Sequence, residues 1–200
     1  MIARKPLPEE FRLWNRRYRA PFGPGWWQRR RVRQQLWTKR MELPAWMTRA
    51  IGPFGFQKNS VSRTFEYPWC YFCTPLSQGM RAVDIGAGAS GFQFVLAKRG
   101  LEVTSIDPLI DAEGSNWTFS PSAHKRLQKA FGVTLDFVPK YLHEAELPSG
   151  SYDRVFSISV MEHAPAEMIA RTGKEIARIL NRLRKKSRLR ARFFGRLELS

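Results

Sequence analysis

The 200-residue chain is 43% apolar and 13% aromatic and carries a formal charge of +17. That apolar fraction is too high for a disordered chain, and the length suits one core with extensions. No window holds the ~18 uncharged apolar residues that cross a bilayer, and Met1-Ile2-Ala3-Arg4-Lys5-Pro6 lacks the apolar run of a secretory signal, so a cytoplasmic protein is expected.

The charge is uneven. Residues 1–50 carry +10, residues 51–170 carry −2 and residues 171–200 carry +9. A basic patch attracts polyanions through counterion release, so the two ends call for a different explanation from the near-neutral middle.

Residues 1–65 mix Arg with Trp and are cut by Pro and Gly, as in Pro21-Phe22-Gly23-Pro24-Gly25-Trp26-Trp27, which predicts short helices joined by turns. Within them, Gln28–Trp37 reads as a basic helix with Val32, Leu36 and Trp37 on a narrow apolar strip. Cys70 and Cys73 form a lone C-x-x-C in an aromatic stretch. His124, His143 and His163 offer no matching zinc spacing, so the two thiols read as semi-buried packing groups and no metal is expected.

From residue 80, apolar runs of strand length alternate with helix-length segments, the pattern of a parallel sheet with crossover helices. Arg81–Ile85 is predicted as a first strand, Gly91–Arg99 as a helix stopped by Gly100, and Glu102–Ile106 as a second strand. Ser122–Phe131 is predicted as a helix stopped by Gly132, Thr134–Val138 as a third strand, Tyr152–Ser159 as a fourth, and Pro165–Leu180 as one helix or two short ones. Glycine suits both helix stops because it takes the left-handed cap conformation freely.

The first strand runs straight into Gly86-Ala87-Gly88-Ala89-Ser90-Gly91 and then into a helix, so the backbone can turn sharply and a ligand can approach the main chain. Asp107 follows Gly86 by 21 residues, at the end of the second strand, where a carboxylate can accept from two ribose hydroxyls. Gly86, Gly88 and Gly91 also satisfy the dinucleotide pattern G-x-G-x-x-G. Asp84 argues against a dinucleotide, because a carboxylate beside the ligand suits a sulfonium or amino group and repels a pyrophosphate.

On these residues the chain resembles the class I S-adenosylmethionine-dependent methyltransferases over residues 66–180. Val83–Gly91 is similar to the family's first motif, and Val103–Pro108 to its second-strand motif. Leu147–Val155 is similar to the entry into the fourth strand, and Ser157–His163 to the loop beside the transferable methyl. The resemblance implies an α/β, Rossmann-like, doubly wound and mostly parallel sheet. It implies S-adenosyl-L-methionine as cofactor, with Asp84, Gly86, Ala87, Gly88 and Gly91 at its methionine end and Asp107 at its ribose. The chain divides accordingly into a basic N-terminal helical extension (1–65), the methyltransferase domain (66–180) and a basic tail (181–200).

Two departures from the family stand out. The adenine-facing position after the third strand carries Tyr141 rather than an acidic residue, leaving Tyr141, the Leu142 backbone or Glu144 to serve adenine. After Leu180, Asn181-Arg182-Leu183-Arg184-Lys185-Lys186 replaces the turn that leads into the last strands, so those strands are expected to be missing and the fourth strand's edge open. Truncation or an altered reading frame at the gene's end would explain both the lost turn and the sudden basicity after Leu180.

Methyl transfer needs the nucleophile positioned in line, plus a base when the acceptor must lose a proton. His163 is the candidate base and Glu162 its partner or an acceptor ligand. A small-molecule acceptor is favoured. The alternatives are a nucleic-acid binder, with Arg29, Arg30, Arg31 and Arg33 on phosphates and Trp26, Trp27 and Trp37 as stacking faces, or a cofactor-binding protein without activity. The oligomeric state is open, and core packing is favoured over acceptor contact for Phe65, Tyr67, Trp69 and Trp117.

Overall fold

The computed structural model describes residues 6–28, 43–108 and 121–181. Four strands form one parallel sheet: β1 (Arg81–Ile85), β2 (Glu102–Ile106), β3 (Asp136–Val138) and β4 (Arg154–Ser157), in the order β3-β2-β1-β4. The fold is thus α/β and Rossmann-like, with β1 and β2 at the predicted bounds. The order reverses between β1 and β4, which places a crevice at their C-terminal ends.

The period-two alternation of β1 sorts its side chains between two layers. Ala82 packs on one face with Val103 and Phe156, while Val83 and Ile85 pack on the other with Ile106, Leu142 and Ile179. Asp84 follows Ala82 onto the first face, the one roofed by α5 (Gly91–Lys98). All residues from Gly91 to Leu96 are buried, so α5 is enclosed on every face rather than amphipathic.

The outer cover of α5 comes from the N-terminal segment, whose described residues form α1 (Glu9–Tyr18), α2 (Gly25–Gln28), α3 (Ala45–Ile51), a 3-10 turn (Pro53–Phe56) and α4 (Arg63–Phe72). These are the short helices the Pro and Gly punctuation predicts. An aromatic file runs inward from them: Trp14 against Phe54 (5.7 Å), Phe54 against Tyr67 (4.8 Å), Tyr67 stacked on Phe92 (5.9 Å) and Phe92 edge-on to Phe156 (5.3 Å). Each such pair adds roughly 0.5–1.5 kcal/mol beyond its burial. The boundary placed at residue 65 falls inside α4, and Trp14 and Phe54 share one apolar cluster with the sheet.

Beyond α5, α6 (Pro121–Phe131) leads to β3, and α7 (Ala166–Ile179) is a single helix that covers the second face. Gly100 and Gly132 take φ of 90° and 64°, as the predicted stops require. β3 begins at Asp136 rather than Thr134 because Val133 N–H and Leu135 N–H donate to the Gln128 backbone and side-chain oxygens (3.1 Å each), closing α6 instead of joining the sheet. β4 ends at Ser157 rather than Ser159, since Ser159 turns left-handed (φ 53°) and the chain enters a 3-10 turn at Met161–His163.

The outer side of β4 meets the returning chain at one parallel bridge. Tyr152 N–H donates to Ile179 O (3.0 Å) and Asn181 N–H donates to Tyr152 O (2.8 Å). The basic tail after Asn181, Arg29–Arg33, Trp37 and Trp117 lie outside the described residues. No helix among the described residues is long and apolar enough to cross a membrane.

Candidate cofactor-binding site

The turn between β1 and α5 is fixed at both ends by its own sequence. Gly86 N–H donates to Ile106 O (2.7 Å), and Ser90 caps α5 by accepting from Phe92 N–H (3.2 Å). Asp107 reaches back across the mouth of the turn, where its Oδ2 accepts from Gly88 N–H (2.7 Å). The structure thereby brings the predicted ribose ligand and the predicted turn together.

The three glycines serve different ends. A Cβ on Gly86 would lie 2.4 Å from Val160 Cγ2, and one on Gly91 would lie 2.7 Å from the Phe54 ring and the Pro53 carbonyl carbon. Those two positions are small because parts of this chain pack there. A Cβ on Gly88 would meet only Asp107 Oδ2, at 3.5 Å, so Gly88 is where the backbone lies open to a ligand.

Beneath the turn lies a polar network that the sequence did not signal. Gln93 Nε2 donates to both Gly88 O and Ser90 O (3.0 Å each), while Gln93 Oε1 accepts from Ser105 Oγ (2.7 Å) and pairs with His124 Nε2 (2.7 Å). Gln128 Nε2 can only donate to His124 Nδ1 (3.0 Å), so the imidazole is neutral and its Nε2–H points at Gln93. Burial pushes the His124 pKa down to about 4, so this tautomer persists at neutral pH. The turn's carbonyls are therefore held from below.

Asp84 is 3% exposed, and its Oδ2 has no hydrogen-bond partner. Desolvation, with the neighbouring Asp107 carboxylate adding to it, pushes its pKa up to about 8. It lines a cavity with Ile85, Gly86, Ala87, Ser90 and Ile158 from the sheet side and Gln57 and Tyr67 from the N-terminal segment. A buried carboxylate without a partner is costly and is found where a ligand supplies one. The cavity thus fits the cationic end of an adenosyl-amino acid, and a pyrophosphate fits it poorly.

The remaining predicted residues are placed as follows. Leu142 buries its side chain in the second apolar cluster, whereas Tyr141 is part-exposed and stacks on His143 (5.6 Å). Glu144 is occupied, its Oε2 accepting from Tyr141 N–H (3.2 Å). Glu162 and His163 are exposed on the turn after Val160 and do not line the Asp84 cavity. Phe65 is exposed and Trp69 part-exposed, while Tyr67 joins the lining. Burial pushes the Cys70 thiol up to about 12, Cys73 is exposed, and among the described residues no group of three His, Cys, Asp or Glu could hold a metal.

A parallel sheet reversing at a glycine turn, with a carboxylate closing each strand end, defines a Rossmann-like ligand-binding domain. The family profile described as a methyltransferase domain matches residues 83–183, and the chain belongs to this family, the class I S-adenosylmethionine-dependent methyltransferases. Sterol 24-C-methyltransferase of Gibberella zeae is 25% identical over 91 residues, 45% of this chain and 22% of that protein. The chain thus spans about a fifth of that relative's length. Among solved structures, the YcgJ protein of Bacillus subtilis is similar over 57% of this chain and 45% of its own (17% identity, TM-score 0.47). The 1,6-didemethyltoxoflavin-N1-methyltransferase of Burkholderia thailandensis, solved with S-adenosylhomocysteine, is similar over 52% and 41% (18% identity, TM-score 0.42).

Proposed function

We propose that the chain binds S-adenosylmethionine at the turn between β1 and α5 and transfers its methyl group to a small-molecule acceptor. The unpartnered Asp84 carboxylate beside an open Gly88 carries this reading. When bound, the cofactor supplies an electrophilic methyl carbon on a sulfonium. Asp84 balances positive charge at the floor of the site and, with Gly86 and Ala87, receives the amino-acid end. Gly88 gives the backbone close approach, Asp107 serves the ribose, and Gly91 lets α5 begin beneath the ligand. Tyr141 and the backbone at Leu142 flank the adenine in place of the family's acidic residue. Glu162 and His163, exposed beside the β4 end, stand where an acceptor enters, with His163 taking the proton of an acceptor that must lose one.

Calorimetric titration with S-adenosylmethionine tests the reading. Gly88→Asp and Asp107→Ala should each abolish or sharply weaken binding. Unchanged affinity in both variants overturns it.

A further inference from the structure

Helices α1, α4 and α7 each pair arginine with glutamate on their own surface: Arg12 with Glu9, Arg63 with Glu66, and Arg171 with Glu167 and Arg178 with Glu175. Helices α3 and α6 depart from this, holding Arg49, Lys125, Arg126 and Lys129 and no Asp or Glu. Arg49, Lys125 and Lys129 are exposed, and none of the three forms an ion pair among the described residues. They make one strip. Arg49 Nη1 donates to Ala130 O (3.5 Å), which sets α3 against the end of α6, and Lys129 and Lys125 follow from there, one helical turn apart on the same side. Trp46, three residues before Arg49 on α3, is 62% exposed, whereas Trp14 and Trp27 are buried. Packing does not account for Trp46, because the residues that α3 buries are Thr48 and Ile51. A strip of cations uncompensated by acids raises the local potential and attracts a polyanion.

We propose that this face of α3 and α6 is a docking surface for single-stranded nucleic acid, with Arg49, Lys129 and Lys125 on phosphates and Trp46 stacked on a base. The aromatic decides between the polyanions. A bilayer is held by several apolar side chains inserted together, and Trp46 is the only large apolar side chain exposed on either helix. Stacking needs one ring face beside a charged track, and Trp46 beside Arg49 supplies both. The surface is separate from the cofactor site, since none of Trp46, Arg49, Lys125 and Lys129 lines the Asp84 cavity. Its α3 half also precedes residues 83–183, the stretch that matches the methyltransferase profile, so the stacking residue belongs to the N-terminal segment.

The test is fluorescence anisotropy of a labelled oligouridine with the full chain across a series of salt concentrations. The double variant Lys125→Ala, Lys129→Ala should weaken binding by at least ~10-fold at low salt and flatten the slope of log affinity against log salt by ~1.4, since each phosphate contact on a single strand contributes ~0.7. Trp46→Ala should weaken binding by about 10-fold with the slope unchanged, and Trp46→Phe, which keeps a ring, should retain most of the affinity. Lys174→Ala, exposed on α7, should match the wild type. Wild-type affinity and slope in the double variant overturn the surface and move the binding to the basic ends of the chain. Wild-type affinity in Trp46→Ala, or an equal loss in Trp46→Ala and Trp46→Phe, overturns the stacking contact and the proposal with it. A loss of S-adenosylhomocysteine affinity in step with that of oligouridine overturns a separate surface. No binding of oligouridine by the wild type overturns the proposal, and binding of phosphatidylserine vesicles in its place assigns the strip to an anionic membrane.

Discussion

Replacing Asp84 with Asn should make the ligand-free protein more stable at alkaline pH while weakening its hold on the cofactor. The wild-type carboxyl titrates at about 8 in the fold against an ordinary 3.8, so between these values the folded chain keeps a proton that the unfolded chain has released. Stability from this group is therefore full below pH ~4 and is lost as pH rises through ~8, at ~1.4 kcal/mol per pH unit. His124 has the opposite sign: its lowered pKa makes stability rise between pH ~4 and ~6.5 and contributes nothing to the slope above that. The window from pH 6.5 to 8 isolates Asp84. Over it the wild type should lose ~2 kcal/mol, or roughly 4–8 °C in melting temperature for a chain of this size. Asp84→Asn should lack this slope, and saturating S-adenosylhomocysteine should flatten it in the wild type, because a bound cation restores the carboxylate to its ordinary range. Thermal melts of both proteins across the window are the assay. Equal slopes in wild type and variant would refute the claim that Asp84 is an unpaired buried acid.

Gly91→Ala should destabilise the fold by ~1–3 kcal/mol in denaturant melts, since its methyl would meet the Phe54 ring and the Pro53 backbone at 2.7 Å. Gly88→Ala should cost only ~1–2 kcal/mol for its left-handed backbone (φ 46°), yet it should weaken S-adenosylhomocysteine more than Gly91→Ala does, as calorimetry would show. Gln93→Leu leaves Ser105 and His124 without their acceptor and frees the carbonyls of Gly88 and Ser90, so a loss of ~2–4 kcal/mol in stability and weaker ligand binding are expected. His163→Ala, at an exposed position, should change stability by less than ~0.5 kcal/mol and lower methyl turnover by ~100-fold or more on an acceptor that must lose a proton. Turnover that stays level would remove His163 from the reaction.

What could be read from the sequence divides along the range of the interactions. β1 and β2 were legible to the residue because their apolar runs end at a glycine turn and at Asp107, both local signals. The ends of β3 and β4 were not, since Gln128 takes up the amides ahead of β3 and the left-handed Ser159 ends β4, and neither choice shows in strand propensity. Asp84 and Asp107 were legible because the family spacing marks them. Gln57 and the Gln93–His124–Gln128 network were not, because glutamines carry no pattern and their partners lie on other elements. The N-terminal segment read as an extension for the same reason: its role depends on Trp14, Phe54 and Tyr67 meeting Phe92 across the fold.

The wedge of Phe54 against Gly91 bears on how this protein can be re-engineered. Acceptor preference in an enzyme of this architecture is an attractive target for grafting, in which one N-terminal lobe is exchanged for another while the cofactor half is kept. Here the seam runs through the turn itself, because Gly91 is shaped by Phe54 and the Asp84 cavity is closed by Gln57. A chimera joined ahead of β1 would inherit a turn carved for a partner it no longer has. A graft that moves residues 53–57 and 91 as one unit keeps the two halves in register.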